Sequence, residues 1–118
     1  MDGLVREFIE SALRSVVGLD VVLFFRDYPD ALESVTGIAL RTGRGAEEIA
    51  PCLEALTEYG MLEAFCQGND RYHCYCLSRR PEMWDLVCRL SDEYLHQPES
   101  RKEIVRLLMR LAAERTGG

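Results

Sequence analysis

The sequence predicts a mostly helical chain that carries one small β-hairpin. Three observations predict it. Apolar residues recur at helical spacing along most of the chain. That period drops to two on either side of a single polar turn, Gln67-Gly68-Asn69-Asp70. Glycines stand where helices should stop, at 18, 43 and 60.

In chain order, Leu4, Val5, Phe8, Ile9, Ala12, Leu13 and Val16 share one face, opposite Arg6, Glu7, Glu10 and Arg14. This is an amphipathic helix over 1–17, about four turns long, closed by Gly18. Leu19 to Phe25 is apolar apart from Asp20, and Tyr28-Pro29 bounds it. Its valines and phenylalanines suit a strand as well as a helix; the helical segments that follow favour a buried helix. Residues 31–42 read as one short helix closed by Gly43. Residues 46–59 read as another, with Ile49, Leu53 and Leu56 inward and Gly60 as the stop. Met61 to Cys66 lead into the first strand, and Tyr72 to Leu77 return as the second. Two helices finish the chain, 81–96 and 99–115, each with a narrow polar stripe and a wide apolar arc.

At 118 residues and 47% hydrophobic, the chain suits one domain with a real core. The predicted division of that single domain, 1–118, is an N-terminal helix (1–17), a central unit (19–80) and C-terminal helices (81–116). No apolar run is long enough to cross a bilayer, so no membrane partner is expected. The start, Met1-Asp2-Gly3-Leu4, is amphipathic and acidic, unlike a secretory signal. Five cysteines in that setting point to free thiols in a reducing cytoplasm. Net charge is -6, and residues 1–40 carry seven acids against three bases. The most positive stretch, 99–118, reaches only +2, so general affinity for a polyanion is not written into the chain.

The element order is helix, helix, short turn, helix, hairpin, helix. It resembles the winged helix-turn-helix regulators, including the MarR-like repressors. Ile38-Ala39 followed by Thr42-Gly43 looks like the end of the first motif helix and its turn. Leu53, Leu56 and Gly60-Met61-Leu62 look like the recognition helix running into the first wing strand, and Tyr75-Cys76-Leu77-Ser78 like the closing strand. The match covers about residues 19–80. It implies a core of Leu23, Phe24, Ile38, Ile49, Leu53, Leu56, Leu62 and Leu77 beneath a helix shaped for the major groove.

The helix that would read DNA departs from that family's chemistry. Base-reading faces usually carry Arg, Lys, Ser, Thr, Asn or Gln. Here the face offers Ala46, Glu47, Glu48, Ala50, Pro51 and Glu54. Pro51 either removes a helix hydrogen bond or marks a later helix start. The cations placed to grip phosphates are Arg41 and Arg44 at the turn, Arg71 on the wing, and Arg79 and Arg80 after it.

Other chemistry is thin. Cys66, Cys74, Cys76 and His73 gather on the hairpin, with Cys66 placed to approach either of the other cysteines, but no C-x-x-C knuckle accompanies them. No metal site is therefore expected, and Cys52 and Cys88 read as core filling, with Cys74 and Cys76 on the wing's outer face. Gly43-Arg44-Gly45 lacks the further glycine and lysine of a phosphate-binding loop. Neither histidine sits in a nucleophile motif, His73 reading as a packed strand residue, so neither an enzyme nor a cofactor is expected. The wide apolar arcs predict a homodimer, with Leu4, Phe8, Trp84, Leu95, Ile104, Leu108 and Leu111 as its interface. Two functions stay open: a dimeric regulator binding double-stranded DNA, and a winged-helix adaptor that binds another protein and no DNA.

Overall fold

A computed structural model of the chain describes residues 1–67 and 72–116. The element order is α1 (Gly3–Phe8), a π-helical turn (Ile9–Leu13), α2 (Val16–Asp27), β1 (Glu33–Ser34), α3 (Val35–Thr42), α4 (Ala46–Tyr59), β2 (Leu62–Gln67), β3 (Tyr72–Leu77), α5 (Pro81–His96) and α6 (Pro98–Thr116). The Asp2 carboxylate caps α1 by accepting the N–H groups of Leu4 and Val5. Those two bonds, with Arg89 beside them, hold its carboxyl below the ordinary value.

The first helix ends earlier than the glycine at 18 suggests. Arg14 donates its N–H five residues back, to the Ile9 carbonyl at 2.9 Å, and takes a left-handed conformation with φ 55°. Ser15 then caps α2 through its hydroxyl, which accepts the Gly18 N–H at 3.0 Å. Gly18 is thus the third residue of α2, not a stop. It is a close-approach site: a Cβ there would stand 2.5 Å from the Leu13 carbonyl oxygen.

The ambiguous segment after it is helical, as the segments that follow it required. Residues 31–42 are not one helix. Ser34 caps α3 from an extended conformation, its hydroxyl accepting the Gly37 N–H, and Glu33–Ser34 pairs with β3. The hairpin is therefore part of a three-stranded antiparallel sheet, ordered β1-β3-β2. Gly43 and Gly60 end α3 and α4 in left-handed conformations, as predicted. After Gly60, the Met61 N–H reaches back to the Leu56 carbonyl, and both side chains are buried there.

The core joins every helix to the sheet. Phe8, Phe25, Ile38, Ile49, Leu53, Met61 and Leu90 are all but inaccessible. Leu23 and Leu77, predicted within it, are only partly buried at its edge. Cys52 is half-buried and Cys88 exposed, so neither fills the core. The strand register places Cys66 opposite His73, while Cys74 pairs with Phe65 and Cys76 with Glu63. Cys66 thus lies on the sheet face opposite Cys74 and Cys76 and approaches neither; the latter two do occupy the outer face. His73 is exposed and not packed.

Glu93 is another departure. Its place in a polar stripe suggests solvent, yet it is 6% exposed. It accepts the Asp2 N–H through both oxygens, at 3.1 and 3.3 Å.

Candidate nucleic-acid interface

The helix-turn-helix consists of α3, the turn Gly43-Arg44-Gly45, and α4. Alternation of buried and exposed positions orients α4: Ile49, Leu53 and Leu56 point into the core. Glu47, Glu48, Pro51, Glu54 and Glu58 are exposed. No lysine or arginine lies on α4. The positive end of a helix dipole attracts anions, but Glu47 and Glu48 already occupy the first turn. Pro51 does not mark a later start. It is the sixth residue of a continuous helix, which forgoes the bond to the Glu47 carbonyl.

Three of the predicted cations are paired with carboxylates of this chain. Arg44 donates from Nε and Nη2 to Asp20 Oδ2, at 2.9 and 2.7 Å. Its charge bridges the turn to α2, so the guanidinium braces the fold through Asp20. Arg41 lies 3.6 Å from Glu33 and packs over the Tyr28 ring, 5.5 Å from its centroid. Arg80 is held by Glu82 at 2.9 Å. Arg79 is exposed and has no carboxylate partner among the described residues. Arg71 lies outside the described residues.

The start of α4 faces a hollow of about 380 Å³ that sequence reasoning missed. Ala12, Val17, Pro51 and Ala55 give it an apolar floor, with Glu47, Glu48 and Arg115 at its rim. Arg115, from the last turn of α6, donates to the Arg14 carbonyl at 2.9 Å. Ser15 Oγ stands 3.7 Å from Cys52 Sγ on α4. No sequence signal links positions so far apart.

The dimerisation candidates divide in two. Phe8 and Ile104 are fully buried within one chain, and Leu108 and Leu111 are 2% and 4% exposed. Their apolar surface is already covered by the chain's own core, which corrects their assignment to an outer face. Leu4 (62%), Trp84 (40%) and Leu95 (40%) remain exposed, and Val105 and Met109 join them, one turn apart on α6.

This arrangement of helix-turn-helix and strand hairpin, with helices before and after it, is a winged helix-turn-helix fold. A possible transcriptional regulator from Methanosarcina mazei Go1 superposes with a TM-score of 0.58 at 14% identity, over 84% of this chain and 86% of that one. MepR of S. aureus, solved in complex with DNA, gives 0.53 at 14% identity, over 82% and 80%. The heme sensor PefR of Streptococcus agalactiae, solved with heme, gives 0.51 at 13% identity, over 89% and 80%. At such identities the likeness is one of fold. No family model and no curated protein matches the sequence.

Proposed function

We propose that the chain is a winged-helix transcription regulator that acts on double-stranded DNA as a homodimer in the cytoplasm, and not an enzyme. The observation that carries this reading is the complete motif: α3, a three-residue turn, α4 with its first turn open to solvent, and a β2–β3 wing beside it. MepR, of like fold, is solved on DNA.

The α4 carboxylates set the terms of such binding. Within a Debye length of about 8–10 Å they oppose phosphates at the groove edge. Grip then falls to flanking arginines, Arg79 foremost, with Arg80 and Arg41 held in part by their carboxylate partners. Such a protein binds DNA weakly and with a shallow salt slope, well short of the ~6–10 phosphate contacts that cost a thousandfold or more between low and moderate salt. Fluorescence anisotropy on a labelled duplex at two salt concentrations tests it. Replacing Glu47 and Glu48 by Gln should tighten binding about fivefold, or ~1 kcal/mol, through relief of repulsion. An unchanged affinity would mean that α4 does not face DNA.

A second reading is favoured by one observation, the four glutamates and no cation on α4. It is a winged-helix adaptor that docks a protein on that face. Absence of duplex binding by both wild type and the Gln variant would put it first.

A further inference from the structure

The wing carries a thiol and an imidazole in contact. The register of β2 and β3 sets Cys66 opposite His73, and Cys66 Sγ lies 3.2 Å from His73 Nδ1. Both residues are exposed. Tyr75 follows on the same face, its ring centroid 6.5 Å from that of His73. Beside the imidazole a hollow of about 320 Å³ opens, walled by Ser34, Thr36, Glu54 and Tyr75. Glu54, from α4, lines the same hollow as His73.

We propose that Cys66 and His73 form a thiol-modification site on the wing, whose reagent is a hydroperoxide. A nucleophile and a base within hydrogen-bond reach, open to solvent, are the minimal parts of an activated thiol. His73 takes the thiol proton, and Cys66 Sγ attacks the terminal peroxide oxygen. The S–O bond forms as the O–O bond breaks. Sulfur is oxidised by two electrons to the sulfenic acid, and the leaving oxygen is reduced and takes the proton from His73, departing as an alcohol from an organic hydroperoxide or as water from hydrogen peroxide. Cys74 and Cys76 project from the opposite sheet face, so the sulfenic acid meets no neighbouring thiol on its own face.

The other thiols are less fitted. Burial pushes the Cys52, Cys76 and Cys88 thiols up and keeps them protonated. Cys88 is nonetheless exposed and has no imidazole beside it, which makes it an internal control.

The experiment treats the full native chain with one equivalent of hydrogen peroxide, traps sulfenic acid with dimedone and locates the adduct by peptide mass spectrometry. Cys66 should be labelled about tenfold faster than Cys88, as thiolate-controlled reactivity requires. His73→Gln should bring the Cys66 rate down to that of Cys88 with the far-UV circular dichroism unchanged. In denaturant the wild-type preference should vanish. Equal rates at Cys66 and Cys88 in the native wild type, a comparison that needs no variant, would overturn the proposal. So would a Cys66 rate that His73→Gln leaves untouched. The readout is chemical and stands or falls apart from DNA binding.

Discussion

Gly18 and Arg44 show what single residues do here. A methyl group at position 18 would meet the Leu13 carbonyl, a backbone atom that no rotamer change can move. Gly18→Ala is therefore expected to cost about 1–3 kcal/mol, the range of overpacked sites. Urea denaturation checks this as a lowered midpoint with an unchanged slope; an unchanged midpoint would refute the close approach. Arg44 illustrates the limit of local reading. A cation following a turn glycine looks like a phosphate ligand, because nothing local reveals Asp20, 24 residues away. Glu93 is similar: its helical stripe predicts solvent, and only the chain start folding over it explains its burial. In both cases the missed partner is distant in sequence, which periodicity cannot register.

Among the elements, α4 combines two opposed electrostatic roles. Glu47 and Glu48 stabilise their own helix, since negative charge in the first turn complements the dipole. The same charges repel a polyanion. The double Gln variant should thus be less stable, by about 0.3–1 kcal/mol per site at low salt, with the deficit shrinking as salt screens it. Thermal denaturation at two ionic strengths measures this, and a salt-independent deficit would point to lost packing instead. Periodicity and stop glycines located α4, α5 and α6 to within a residue, because these helices are long and strongly amphipathic. Two features escaped. The strand β1 has two residues, too few for alternation to show. The break at Arg14 rests on one five-residue-back bond and a left-handed arginine, which has no compositional signature.

For the whole molecule, the exposed apolar residues of the outer helices are what remains for a second copy. Leu4, Val105 and Met109 are 62%, 38% and 66% exposed, where an isolated chain gains nothing from them. Light scattering coupled to gel filtration should give twice the 13.5 kDa chain mass. Val105→Glu with Met109→Glu should return the single-chain mass without loss of helical circular dichroism. A wild-type monomer at micromolar concentration would refute the dimer. The wide arcs on α5 and α6 were legible in sequence. How much of each arc this chain covers by itself was not, because that depends on how α1 and α6 pack, and it left Phe8, Ile104, Leu108 and Leu111 inside.

The short pairing of Glu33–Ser34 with Tyr75–Cys74 also bears on the order in which the molecule assembles. The hairpin closes a small loop, with Cys66 and His73 seven residues apart. The β1 pairing must close one of about forty residues, an entropic penalty larger by ~1.5 kcal/mol for flexible chains. Contacts between nearby residues form before such distant ones are rewarded. Closure entropy therefore favours an order in which the wing's own ladder forms first and β1 joins it afterwards. Because Ser34 is at once the end of that strand and the cap of α3, the moment β1 docks is also the moment the first helix of the helix-turn-helix acquires its fixed beginning.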